Sequence, residues 1–329
     1  MAENAAEGDN VRAEISALFH LQYVKDAPVK NAHIGSGVFI KRMEPEWLDD
    51  VKNQCPKVGA REKVEILSPY THRFYYEVEL QESEWGDKNL TAFEETQLIL
   101  RAIILSRLVK PTSIGYDSVW IKSFYRTNGT IRHYHDQVIN NLNIAFLIPG
   151  VEDWNTITEA DTGVMAELWD SFQFFLDPAN EPKYRRIVRA TKFNEYAYAI
   201  YFPEISHPIF HAALESMICT STLQNKAQVT QRLPQLVDFV TEQQAEWIYL
   251  TCCGFKHSAE PLMLQKKSCV GALSPSDQKR LNAVILLRQA VRELIIKALR
   301  DRSFADDLAD PKLLRQKYKV YDRKGKLVS

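Results

Sequence analysis

A chain of 329 residues that is 45% hydrophobic and 25% charged can bury one large core or two ordinary ones, and its length favours two domains. Its formal net charge is -1 at neutral pH, so no global field advertises nucleic acid, a membrane or an acidic ligand, and any charge-driven partner must use a local patch. Met1 to Asn10 lacks the basic start and apolar run of a secretory signal, and no apolar stretch approaches the roughly 20 residues that span a bilayer. These features predict a soluble, cytoplasmic protein with no membrane partner.

The cysteines, Cys55, Cys219, Cys252, Cys253 and Cys269, show no repeated CxxC spacing, which predicts reduced thiols rather than a disulfide framework or a zinc site. No GxxxxGK, GxGxxG or GxSxG pattern is present, and Gly35-Ser36-Gly37 is too short and isolated for a phosphate loop. No cofactor and no metal is expected.

The first half reads as β-rich. Strand-like runs occupy Phe19 to Val24, Gly37 to Lys41 and His72 to Leu80. Two alternating runs, Val119 to Arg126 and Ile131 to His135, flank Asn128-Gly129, a pair that supplies the positive φ of a tight hairpin turn. One helix interrupts them: Thr91 with Glu94 forms a capping box, Ile99, Ala102, Ile103 and Leu108 have core spacing, and Pro111 stops it. Leu142 to Ile148 is a further strand, after which Pro149-Gly150 and an acidic stretch mark a domain boundary.

Beyond that boundary the apolar period becomes that of helices, predicted at Val164 to Leu176, Tyr184 to Tyr201, His207 to Ser221, Leu223 to Val237 and Glu242 to Phe255. Ser274 as N-cap, Pro275 at the first helical position and Asp277 in the first turn announce a longer helix running to about Arg300, roughly 40 Å in length. Lys312, Arg315, Lys317, Lys319, Arg323, Lys324 and Lys326 then form a basic segment, read as a mobile tail. The fold class is therefore α+β, with a β-rich domain holding one core helix at 1–152, an all-α bundle at 158–302 and a basic tail at 303–329.

Four features of the helical half carry a resemblance. They are Arg189-Ala-Thr-Lys-Phe193 with Tyr196 one turn on, Phe210-His-Ala-Ala-Leu-Glu-Ser-Met217, Ile248-Tyr-Leu-Thr-Cys-Cys-Gly-Phe-Lys-His-Ser258, and the long helix with Leu287-Arg288. Together they resemble the HEPN fold family, in particular its Apea-like branch, over about residues 160–300. The resemblance implies a metal-independent RNase scaffold, composed across a homodimer, with His257 as the catalytic histidine. Five places before His257, where the RxxxxH signature has arginine, stands Cys252. Cleavage at an RNA 2′-OH needs a proton acceptor and a clamp on the developing phosphorane charge, and cysteine supplies neither arginine's charge nor its fork.

The candidate phosphate-binding residues are Arg185, Arg186 and Arg189, in a cationic cluster with Lys183 and Lys192, together with Arg232, Lys256 and Arg288 as basic groups on neighbouring predicted helices. A solvated helix face is the competing reading of that cluster. His207 and His211 have a one-turn spacing that can chelate a metal when a third ligand joins, but no HExxH pattern accompanies them.

The expectation is an HEPN-like protein that engages RNA or a nucleotide with lost or reduced RNase activity, set in prokaryotic defence or stress. Two alternatives stay open. One is a non-catalytic module whose β-rich half recognises a protein or phage-derived ligand while the helical half dimerises, and the other is an active RNase using His257.

Overall fold

The computed structural model describes residues 11–19, 31–42, 72–80, 88–112, 116–127, 130–143, 145, 157–200, 202–221, 223–258, 274–322 and 324–327. These residues have an α+β layout in two compact units, residues 1–169 and 170–329.

In the first unit six strands form one antiparallel sheet: β1 (Val11–Phe19), β2 (Asn31–Gly35), β3 (Val38–Arg42), β4 (His72–Leu80), β5 (Tyr116–Thr127) and β6 (Thr130–Asn143). Their order is β2-β3-β4-β1-β5-β6. The expected hairpin is present as β5 and β6, paired with Val119 opposite Ile139 and Thr127 opposite Thr130, while its Asn-Gly turn lies outside the described residues. Strand β1 ends at Phe19, so the rest of the strand expected at Phe19 to Val24 is outside them as well. The strand expected at Leu142 to Ile148 contributes Leu142 and Asn143 to the end of β6, and Ala145 beyond it is buried.

Gly35-Ser36-Gly37 makes the turn between β2 and β3. Ser36 and Gly37 both have positive φ (47° and 77°), the combination that matches the twist of a two-residue hairpin loop. Gly35, at φ 152°, is required for a second reason: an added Cβ would lie 2.1 Å from Cδ1 of the buried Trp169, whose indole N–H donates to Ser36 Oγ at 3.0 Å.

Helix α1 (Lys88–Val109) packs against β1, β3 and β4, and Ile99, Ala102, Ile103 and Leu108 are fully buried, as their spacing requires. It begins at Lys88, ahead of the Thr91 start read from the sequence. The acidic stretch read as part of the boundary instead starts α2 (Glu159–Leu176). Thr158 accepts from the Asp161 N–H at 3.3 Å while the Asp161 carboxylate accepts from the Thr158 N–H at 2.8 Å, a reciprocal cap.

The described residues of the second unit are mainly helical: α3 (Glu181–Tyr198), α4 (Pro203–Ile218), α5 (Asn225–Leu236), α6 (Glu242–Ser258), α7 (Pro275–Arg300), α8 (Arg302–Ala309) and α9 (Pro311–Lys317), with one antiparallel bridge between Tyr321 and Leu327. Helix α7 starts where the sequence indicates, the Asp277 N–H donating to Ser274 Oγ at 3.2 Å, and Leu281, Val284, Leu287, Val291, Leu294, Ile295 and Ala298 form its buried stripe.

The basic C-terminal segment is built into this unit. Asp301 and Asp310 cap α8 and α9, accepting from Ser303 N–H at 2.9 Å and Lys312 N–H at 2.7 Å. Leu308, Leu314 and Val320 are buried, and Lys317 pairs with Asp307 at 2.7 Å. The chain is then tied to α5, with Arg232 donating to Tyr318 O at 2.9 Å and the Tyr321 N–H donating to Gln231 Oε1 at 2.8 Å. The run of cations predicts a mobile tail; apolar residues interleaved with it, and two aspartate caps, make it a packed element instead.

Candidate functional site

Helix α3 sorts its residues by face. Tyr184, Ile187, Val188, Ala190, Thr191, Asn194, Ala197 and Tyr198 are buried, leaving Arg185, Arg189, Lys192 and Tyr196 exposed along one stripe. That stripe forms one wall of an open groove of about 990 Å³, lined also by Phe193 and Glu181. The opposite side comes from α4, the connection after it and the first residue of α5, through Glu215, Ser216, Cys219, Thr220, Ser221 and Asn225.

The cations do different jobs. Lys192 pairs with Glu181 at 3.0 Å, and the Arg189 guanidinium lies 5.1 Å from the centre of the Phe193 ring. Neither Arg185 nor Arg189 makes an ion pair with a carboxylate among the described residues, and both line the groove. The Tyr196 side of the wall is an open aromatic surface, 61% exposed.

Arg186 belongs to the frame of the groove. Its Nε donates to Ser216 O at 2.8 Å, and its Nη2 donates to Met217 O at 2.8 Å and Cys219 O at 2.7 Å, closing the C-terminal end of α4. Burial lowers its pKa to about 10, which leaves it charged at neutral pH. Arg232 supports the same corner from α5, donating to Ile218 O at 2.7 Å and Gln228 Oε1 at 2.7 Å. Burial pushes the Cys219 thiol up to about 12, so it stands in the groove wall as an unreactive neutral group.

On the α4 side lies Glu215. Its Oε1 accepts from Asn225 Nδ2 at 2.9 Å and stands 3.6 Å from Nδ1 of the buried His211. Burial alone would raise this carboxyl, but His211, Asn225 and the charge of Lys256 outweigh it and hold Glu215 below the usual carboxylate range. Glu215 is therefore a fixed anion in the groove that Arg185 and Arg189 also line.

The sequence-selected residues thus separate. Arg185, Arg186 and Arg189 meet at the groove, and Lys256 reaches its electrostatics through Glu215. Arg232 is fully buried and Arg288 is 3% exposed, lying 5.0 Å and 5.4 Å from the rings of Phe210 and Tyr198 with Ser206 Oγ at 3.5 Å, so both are interior groups rather than surface phosphate contacts.

His257 is exposed in the last turn of α6, whereas Cys252 is 1% exposed. Burial, opposed by Lys256, pushes the Cys252 thiol up to about 11. His207 and His211 are both buried within α4, His207 facing Ile248 O at 3.3 Å, and no cluster suited to a metal ion is present among the described residues. Nor is any helix among them long and apolar enough to cross a membrane. Glu215 and Asn225 escaped sequence reasoning; the one hint was Glu215's place in the Ala-Leu-Glu-Ser segment.

Comparison with protein-family models, with curated proteins and with solved structures returns no match.

Proposed function

We propose that this chain is an HEPN-like protein that engages RNA or a nucleotide, with its RNase chemistry lost or reduced, acting as a homodimer in a prokaryotic defence or stress setting. The observation that carries the reading is the α3 stripe, in which Arg185 and Arg189 stand exposed, without carboxylate partners among the described residues, beside Phe193 and Tyr196. Cations spaced along a groove bind successive phosphates, and interleaved aromatic rings take the bases. A bare solvated helix face would need neither the opposing polar wall nor the exposed tyrosine.

The loss of cleavage follows from chemistry. In the position of the family's arginine, Cys252 is a buried thiol, neutral at pH 7, that cannot clamp a phosphorane. Arg232 and Arg288, the arginines that the sequence offers as substitutes, are engaged inside the helical unit. His257 is then an acid or base without its electrostatic partner.

The test is fluorescence anisotropy of a labelled single-stranded oligoribonucleotide with the full chain and an Arg185→Ala/Arg189→Ala variant at low salt, followed by electrophoresis of the RNA. Binding that the variant loses, with the RNA left intact, is the expected result. Equal binding by both proteins would move the site elsewhere, and cleavage abolished by His257→Ala would replace the reading with that of an active RNase.

A further inference from the structure

We propose that the groove reads a guanine base in single-stranded RNA, with the Glu215 carboxylate accepting from the base edge while Arg185 and Arg189 hold the flanking phosphates. This rests on the RNA-binding reading of the same groove and names what it selects.

The argument begins with a conflict. A groove built solely for phosphate has no use for an anion, yet Glu215 lines this one, ionised and held by Asn225 Nδ2 at 2.9 Å, with Nδ1 of the His211 ring 3.6 Å away. Arg186 does not pair with it, because its fork is committed to the carbonyls of Ser216, Met217 and Cys219, and Lys256 acts on it through its charge without a hydrogen bond to it. An ionised carboxylate is acceptor-only, with about four lone-pair sites. The hydrogen bond from Asn225 takes one lone-pair site of Oε1, and His211 Nδ1 at 3.6 Å makes none, so Oε1 keeps a second site and Oε2 has no partner among the described residues.

The part of an RNA strand that can approach such a group must therefore present donors. Guanine presents two side by side, N1–H and the N2 amine, matching a carboxylate as a fork matches a fork. Adenine and cytosine each place one amine beside a ring-nitrogen lone pair, which the carboxylate repels. Uracil flanks its single N–H with two carbonyl oxygens. A carboxylate thus selects guanine both by attraction and by rejection of the others. Single-stranded RNA exposes the edges this requires, and its unstacked bases settle on aromatic rings. Tyr196, 61% exposed, is available for that, whereas the Phe193 ring already carries the Arg189 guanidinium at 5.1 Å.

The experiment uses the full unmodified chain and labelled oligouridines carrying one central guanosine, adenosine or inosine, the last lacking the N2 amine. Guanosine is expected to bind about ten-fold more tightly than adenosine, with inosine between them. Glu215→Gln, which keeps the shape of the side chain but adds a donor, should bind all three with their differences erased. Equal affinities of the unmodified chain for the three oligonucleotides overturn base selection while leaving the RNA groove standing. Failure to bind any of them removes both readings. Because the ligand series needs no substitution in the protein, the decision stands whether or not Glu215→Gln folds.

Discussion

Arg186 donates from Nη2 to the carbonyl oxygen of Cys219 at 2.7 Å, so the residue that ends α4 is held by a cation from α3. Two further carbonyls, of Ser216 and Met217, share the same guanidinium. Replacing it with Met strips a helix C-terminus of its charge and leaves half-buried acceptors unmade, at a cost of about 3 kcal/mol. Arg186→Lys should recover part of that, since an ammonium lacks the planar fork. Urea unfolding measures both; an unchanged midpoint for Arg186→Met would mean that the three contacts contribute nothing.

Cys252→Arg restores the RxxxxH spelling but puts a guanidinium where the side chain is 1% exposed. Burying an unpaired charge should cost at least about 3 kcal/mol, so the variant should unfold at lower temperature and cleave no RNA. Metal-independent RNase activity in a folded Cys252→Arg protein would contradict this, and would show that the interior yields to form a catalytic pair.

Acid should weaken the helical unit through His207. Burial above all, then the charges of His211, Arg288 and Lys256 against a favourable contact with Ile248 O, lowers its folded pKa to about 3. The unfolded histidine titrates at about 6.5. Below that pH the unfolded chain takes up a proton that the folded chain refuses, so the contribution is whole above about pH 6.5 and is lost progressively toward about pH 3. His207→Phe, able to keep the edge-on contact with Phe255 seen at 5.5 Å, should flatten this acid limb in thermal melts across pH. An identical limb in the variant would assign it to other groups.

What the sequence made legible was local. Ser274-Pro275 with Asp277 announces α7 because cap, fixed φ and first-turn acid all act within one turn. Asp310-Pro311 carries a similar signal for α9, inside a segment whose lysines and arginines read as a tail, although Leu314 and Val320 are buried. Periodicity likewise puts Arg185, Arg189, Lys192 and Tyr196 on one face of α3. It does not distinguish Arg185 from Arg186, which a rotation of about 100° separates into a groove cation and a helix cap. Glu215 and Asn225, ten residues apart, meet because the connection between α4 and α5 turns back on itself, a path that helical periodicity does not encode.

The central claim, that the α3 stripe binds an RNA backbone, is tested most directly by the salt dependence of RNA affinity in the unmodified chain and in Arg185→Ala/Arg189→Ala. Each phosphate contact to a single strand contributes about −0.7 to the slope of log affinity against log salt, so removing two cations should make the slope shallower by about 1.4 and weaken binding at low salt. Both side chains are exposed, so stability should change by no more than about 0.5 kcal/mol per site. A slope and affinity unchanged in the variant would contradict the account.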